Sequence, residues 1–321
     1  MKSTKRTPSL QRSPKIYPLN QSPLYKLQSK NKLNALLGIN KNQIPSLLSD
    51  ELFNQFLNKD NRLIQHPIGK LELVHKKIYC LLNKIIKPSY LHSGTKKRST
   101  STNAEIHKNN KEMLKIDISK FFPSNSERKI RNLFLYQFEM SIDAASYLSK
   151  LICINGILPT GSQVSMQIAY FANKVMFDRL NTLAKENNLS MTAYVDDVAF
   201  SGEKIPTGFL KKVKTIVNES GLTIKNKKIK IYREKQPKMI TGIIIKNNML
   251  TVRNKNLRKI KQTFLEIFTP NAHLSLEEKE VIYTRLKGQL HAAGQINKRF
   301  KQKAKHINKN QKKYLKQNQT L

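Results

Sequence analysis

The sequence predicts an α+β fold, and three observations carry that reading. Met191-Thr192-Ala193 and Val198-Ala199-Phe200-Ser201 are short apolar stretches on either side of Tyr194-Val195-Asp196-Asp197, which reads as strand, two-residue turn, strand. Leu114-Lys115-Ile116-Asp117-Ile118 alternates, with Leu114, Ile116 and Ile118 on one face and Lys115 and Asp117 on the other. Between and around these strands lie segments with helical spacing, the clearest being 68–87 with Leu71, Val74, Ile78, Leu81, Leu82 and Ile85. With 321 residues and 39% hydrophobic content the chain can bury a sizeable core and form two or three subdomains.

Taken in order, residues 1–30 are Pro-, Ser- and Lys-rich and read as an irregular arm able to lie along RNA. Residues 31–58 read as helical, interrupted near Pro45, and 59–67 as a turn entering an extended piece. Pro88 is expected to end the 68–87 helix. The stretch 91–107 reads as a basic, hydroxyl-rich loop in which Lys96, Lys97, Arg98, Asn103 and His107 suit phosphate contacts. Phe121 and Phe122 close the 114–118 strand, and as bulky rings both suit a core. Residues 126–152 read as mostly helical. A turn holding Thr160, Gly161 and Gln163 then feeds a helix with Val164, Ile168, Phe171 and Val175 as its buried stripe. After the hairpin come a helix over 206–219 and a basic run that includes Lys227 and Lys228. A strand over 238–245 bends at Thr241-Gly242. Helices are expected over 254–268 and 275–293, and the 294–321 tail reads as an RNA-binding helix or an irregular arm.

Charge is distributed along the whole chain. The net formal charge is +38. No acid precedes Asp50 or follows Glu280, and the stretch between them is strongly basic as well. Basic ends alone would be tails; a basic middle too argues for a long nucleic-acid track. No apolar run is long enough to span a bilayer and no basic amphipathic helix stands out, so a membrane partner is not expected. Cys80 and Cys153 lie apart in apolar stretches and read as buried, reduced thiols of a cytosolic protein. No zinc spacing is present. A cytoplasmic location is expected.

The chemistry centres on the hairpin. Adjacent aspartates repel each other, and a divalent cation bound by hard oxygen ligands relieves the repulsion. A solvated Asp-Asp turn is the simpler alternative. Asp117, a lone acid on an apolar strand, is the natural third carboxylate, because burying it unpaired is costly.

These pieces resemble the reverse transcriptases, and the finer motifs resemble the bacterial retron enzymes. Arg62-Leu-Ile-Gln-His-Pro67 is similar to their Arg-x-Ile-x-x-Pro, and Ser99–His107 to their Ser-Ile-x-x-Asn-Ala-x-x-His. Asp117-Ile-Ser-Lys-Phe-Phe-Pro-Ser124 is similar to their Asp-Leu-x-x-Phe-Phe-Pro-Ser, and Ile240-Thr-Gly242-Ile243 to their Val-Thr-Gly-Leu. The likeness runs from about Arg62 to Gly288. It departs at Thr160, Gln163, Met166 and Tyr170, where the family has other residues, and at Val195, where retron enzymes more often carry Ala.

The resemblance implies a right-hand polymerase fold. Its parts are a basic extension (1–49), fingers (50–112), a palm (113–245, with a fingers insertion at about 126–158) and a thumb with a basic tail (246–321). It implies RNA-directed DNA synthesis with dNTPs and two Mg²⁺ ions, Mn²⁺ being a possible substitute. Asp117, Asp196, Asp197 and the Ile118 carbonyl would surround the metal, with Asp196 the more direct ligand of the two neighbours. Phe122, beside Phe121, would exclude a 2′-hydroxyl. Arg62 and Lys59 would contact the triphosphate, Tyr194 the primer end, and Gln163 the template or nucleotide. Thr160, Gly161, Lys227, Lys228, Thr241, Gly242, Arg253, Arg258, Lys287 and Lys298 would contact nucleic acid. The retron likeness further implies a cognate noncoding RNA (msr-msd), a branched msDNA product primed from a 2′-hydroxyl, and antiphage defence with an effector protein, in a possible higher-order complex. Another bacterial defence reverse transcriptase and a non-catalytic RNA-binding scaffold or antitoxin are the alternatives.

Overall fold

The computed structural model of the chain describes residues 16–268 and 274–316. Most of the expected N-terminal arm and the end of the tail thus lie outside the described residues. In chain order, α1 spans Lys30–Leu37 and α2 Ile44–Leu47, followed by β1 (Phe53–Leu57), β2 (Leu63–Pro67), α3 (Gly69–Asn83) and α4 (Thr100–Ile106). β3 (Glu112–Asp117) precedes α5 (Glu127–Asn132), α6 (Ile142–Ile152), α7 (Ser165–Ala172) and α8 (Lys174–Glu186). Then come β4 (Ser190–Tyr194), β5 (Asp197–Gly202), α9 (Phe209–Glu219), β6 (Lys230–Tyr232), β7 (Lys238–Ile240), β8 (Ile243–Lys246) and β9 (Met249–Val252). The chain closes with α10 (Asn254–Phe268), α11 (Leu276–Gly294) and α12 (Lys298–Lys316).

Local chemistry explains most boundaries. The Ser29 hydroxyl accepts from the Asn31 N–H to start α1, and Gly38, at φ 64°, ends it. A reciprocal Ser275–Glu278 capping box opens α11. Several sequence expectations are corrected. The helical reading of 31–58 fails at Phe53–Leu57, which pairs with Leu63–Pro67 as an antiparallel hairpin; ladder pairing overrides an apolar run too short to distinguish the two states. The 91–107 loop contains α4, nucleated by a capping box between Ser99 and Thr102. α3 stops before Pro88 because the Tyr17 N–H takes the Lys84 carbonyl and the Ile86 N–H reaches back to the Tyr17 carbonyl. Val175 is 65% exposed: Asn173 interrupts the helix, and Val175 falls in α8, out of phase with α7. The 238–245 strand is two strands, folded back at Thr241 and Gly242, which have φ 43° and 83°. Cys80 is exposed; Cys153 is buried, and both are free thiols. α12 is a basic helix that buries Ala304 and Ile307, a basic amphipathic pattern the bare sequence does not make stand out.

The chain divides into two compact units, 1–89 with 119–178 and 217–223, and 90–118 with 179–216 and 224–321. In the first, α1 packs on α3 and α6, and α3 on α7. A string of rings runs through it: Phe134, Phe138, Phe171, Tyr170, Phe177 and Phe121, each centroid 5.1–6.1 Å from the next.

In the second unit, four antiparallel strands are ordered β4-β5-β3-β6, and β7-β8-β9 form a separate meander. Ala104 of α4, Met113, Ala199, Ile240, Ile243 and Ile245 share one apolar cluster, which joins that meander to the larger sheet. α10, α11 and α12 pack around Tyr283, Leu286, Leu290, Ala304 and Ile307. Among the described residues no helix is long and apolar enough to cross a membrane.

Candidate active site

Three carboxylates meet at one end of the second unit's larger sheet. Asp117 is the last residue of β3 and pairs directly with Asp197, the first of β5. Tyr194 pairs with Asp197 across the two-residue turn Val195-Asp196. Val195 takes φ 58°, a strained conformation for a β-branched residue. Its N–H donates to the Ser93 hydroxyl at 3.0 Å, which holds the turn in place. The Ile118 N–H donates to the Asp196 carbonyl at 2.9 Å, stitching the end of β3 to the hairpin tip. Asp117 itself is 5% exposed.

Lysines balance these acids. Lys225 Nζ lies 2.7 Å from Asp117 Oδ1, and Lys228 Nζ 2.8 Å from Oδ2. The backbone brings them there: an Ile118–Ile224 bridge continues the sheet, and the Lys225 N–H donates to the Asp117 carbonyl at 2.9 Å. Burial pushes the Asp117 carboxyl up, but the ammonium groups of Lys225 and Lys228 together outweigh it, through hydrogen bonding and charge, and hold the group below its ordinary range. Asp197 is paired with Lys115 at 3.0 Å. Asp196 has no ion pair among the described residues. Burial, then the nearby Asp117 charge, pushes its carboxyl above the usual range.

Among the described residues no three His, Cys, Asp or Glu side chains close into a metal cage. The donor set nonetheless suits a hard divalent cation. Asp117 already binds two cationic groups through its two oxygens, and Asp196 carries the repulsion that a cation would relieve.

The other expected residues of this unit separate into exposed and structural ones. Lys96, Lys97, Lys227, Gly242, Arg253, Arg258 and Lys298 are exposed, and Lys287 is half-buried. Arg98 is turned inward, donating to the Leu91 carbonyl at 2.6 Å. Asn103 and His107 are fully buried, which corrects the expectation that they touch nucleic acid. The Asn103 amide donates to the Thr241 hydroxyl. His107 joins the Ser201 and Thr192 hydroxyls at 2.6 and 2.7 Å, fastening the end of α4 to both strands of the hairpin. Burial lowers its pKa to about 3, so it stays neutral.

In the first unit, the Arg62 guanidinium lies 5.9 Å above the Phe122 ring, within cation–π range. Phe121 is buried and Phe122 half-buried, so only the first ring is core. Lys59 and Gln163 are exposed. The loop carrying Thr160 and Gly161 is pinned to β2: the Gln65 N–H donates to the Thr160 carbonyl at 2.6 Å. Gly161 has φ 126°, and a Cβ there would fall 2.8 Å from Ile64 Cγ2. His75 locks the loop from α3. Its Nε2 is 2.7 Å from the Leu151 carbonyl, which only accepts, so Nε2 carries the proton and the Ser162 hydroxyl donates to Nδ1 at 2.7 Å.

Sequence reasoning missed Lys115, Lys225, Ser93, His75 and Ser162 as site-forming residues. Lys115 alone carried a signal, sharing a strand face with Asp117.

Residues 57–245 match the family model described as reverse transcriptase (RNA-dependent DNA polymerase). The chain therefore belongs to the reverse transcriptase family, and its matched domain is that of an RNA-directed DNA polymerase. Within that family it is similar to bacterial retron reverse transcriptases. It is 28% identical over 261 residues to the Retron Se72 reverse transcriptase of Salmonella heidelberg (strain 579083-10), covering 75% of this chain and 67% of that protein. It is 26% identical to the Retron Mx65 reverse transcriptase of Myxococcus xanthus, covering 59% of this chain and 49% of that one. It is 25% identical to the Retron Ec86 reverse transcriptase of Escherichia coli, covering 59% of each. The match thus spans about half to two thirds of these relatives' own lengths. The family implies dependence on a divalent metal.

Proposed function

We propose that this chain is a retron reverse transcriptase that copies a cognate noncoding RNA into branched msDNA. The carrying observation is the Asp117–Asp197 cross-strand pair with Asp196 in the turn between β4 and β5, inside a domain of this family. Two bound Mg²⁺ ions would supply charge neutralisation for phosphoryl transfer. Asp117 and Asp196 would hold them, aided by the Ile118 carbonyl; Asp197 would add charge or act through a neighbouring group. Lys225 and Lys228, paired with Asp117, are cations suited to phosphate oxygens as well. Arg62 and Lys59 grip the triphosphate. Phe122, with Arg62 over its ring, faces the sugar and excludes a 2′-hydroxyl. Tyr194 lies at the primer end, and Gln163 with the Thr160–Gly161 loop guides the template.

In hand-like terms, 50–112 with about 126–158 act as fingers, 113–245 as palm and 246–321 as thumb. The exposed Arg253, Arg258 and Lys298, with Lys287, suit the phosphates of an RNA stem, whose deep groove is closed to side chains. Synthesis begins at a 2′-hydroxyl within the RNA. The biological setting is bacterial, cytoplasmic antiphage defence with an effector protein.

Asp196→Asn is the test. Primer extension should fall below detection, while the melting temperature holds or rises because a repelling charge is gone. Synthesis by a folded Asp196→Asn protein would end the catalytic reading.

A further inference from the structure

Asp117 and Asp197 are both paired with lysine, but the lysines on Asp117 have side chains 36% and 58% exposed and come from the segment after Ile224, whereas the partner of Asp197 is held inside the sheet. Lys115 reaches Asp197 from β3, with Nζ 3.0 Å from Oδ2, and the two side chains are only 16% and 24% exposed. The register explains the reach. Asp117 lies directly opposite Asp197, and Lys115 lies two positions back on the same face, opposite Ala199. Ala199 is too short to fill that position, so the lysine stem can cross it diagonally. On its other side Lys115 is opposite Lys230, and like charge disfavours that direction. Strand and neighbours together aim the ammonium at Asp197. Asp196 sits in the turn itself, outside this ladder.

We propose that Lys115 is a positioning residue that occupies Asp197 as an internal counter-ion, leaving Asp117 and Asp196 as the carboxylates that hold a divalent cation. The inference rests on the polymerase reading and assigns unequal roles within that one site. Asp197 then acts through its pair with Lys115, and two residues adjacent in sequence do different work. The charge consequences are specific. Removing Asp197 alone leaves a poorly solvated ammonium beside the cation site. Removing Lys115 alone frees a third carboxylate. Removing both returns the local charge to its starting value.

The experiment is a Mn²⁺ titration of the full chain, without nucleic acid or nucleotide, read by the electron paramagnetic resonance of free Mn²⁺. Asp197→Asn should bind Mn²⁺ about tenfold more weakly, from the uncompensated ammonium. Lys115→Met should bind as tightly as the unaltered protein or more so, and Lys115→Arg should match it. The double variant Lys115→Met/Asp197→Asn should return to within about threefold of the unaltered protein, the deficit of the single change being cancelled. A folded double variant that binds as weakly as Asp197→Asn makes Asp197 a direct ligand and overturns the proposal. Circular-dichroism melts establish folding; if the double variant does not fold, Lys115→Gln/Asp197→Asn replaces the ion pair with a neutral amide pair and faces the same criterion. If the unaltered protein takes up no Mn²⁺ even with a dNTP added and extends no primer, the polymerase reading fails instead, and the two failures are distinct.

Discussion

The carboxylate cluster at the end of β3 and the loop from Pro159 to Ser165 both bury polar side chains, and they do so by opposite means. The cluster sets Asp117 and Asp197 against Lys225, Lys228 and Lys115. The loop uses no charge. A neutral His75 joins the Ser162 hydroxyl to the Leu151 carbonyl, the Ser165 hydroxyl donates to the Pro159 carbonyl at 2.7 Å, and the Gln65 N–H takes the Thr160 carbonyl. A charged network can exchange one cation for another while its acids stay in place. A neutral network whose donors and acceptors are matched one to one has a single arrangement, and rigidifies the backbone that carries it. The first is suited to loading and releasing a cation, the second to presenting a loop of fixed shape.

The largest effect that would sharpen this contrast comes from Asp117→Asn. Primer extension should be lost, as with Asp196→Asn, but stability should fall as well. Two ammonium groups lose their partner, a cost of about 1–2 kcal/mol once the partial exposure of Lys225 and Lys228 is allowed for. Urea unfolding of the two variants side by side separates them; equal stability would show that the lysines do not hold Asp117 in solution.

Gly161→Ala tests the rigid region. It forces a Cβ 2.8 Å from Ile64 Cγ2 and 3.1 Å from the Gln65 carbonyl oxygen, at φ 126°. A loss of about 2 kcal/mol or more is expected. An unchanged unfolding midpoint would mean that the loop is not clamped to β2.

The third effect is graded with pH. Burial lowers the pKa of His75 to about 4, of His92 to about 4 and of His107 to about 3. These groups stay neutral in the folded chain, while in the unfolded chain they take up a proton below about pH 6.5. Their contribution is therefore complete above pH 6.5 and is lost as the pH falls from there toward 4, at roughly 1.4 kcal/mol per pH unit for each histidine. His75 belongs to the first unit and the other two to the second, so the unit carrying the carboxylates should be the more acid-sensitive. Unfolding monitored between pH 7 and 5 should show this slope, and His75→Gln should remove about a third of it. A slope unaltered in His75→Gln would mean that His75 is not held neutral.

Much of this molecule was legible in its residues. The alternation at 114–118 and the aspartate pair flanked by apolar stretches located β3 and the β4–β5 hairpin, and helical spacing located α3, α9, α10 and α11. Those signals are local, so sequence carries them directly. Where the code is ambiguous the reading failed. Phe53–Leu57 became a strand because Leu63–Pro67 lay opposite it, and His107 and Asn103 became struts because the hairpin and the Thr241 turn closed over them.

The sequence by itself determined that three carboxylates fall on or between strand-forming segments, where burying them unpaired is costly, and that the chain is strongly basic. Tertiary structure alone decided which side-chain cations stand beside them. Lys115 meets Asp197 through the β3–β5 register, and Lys225 and Lys228 meet Asp117 because the Ile118–Ile224 bridge places them there. Strand order and register bring residues more than eighty positions apart within 3 Å of each other, and no local spacing in the chain records that pairing.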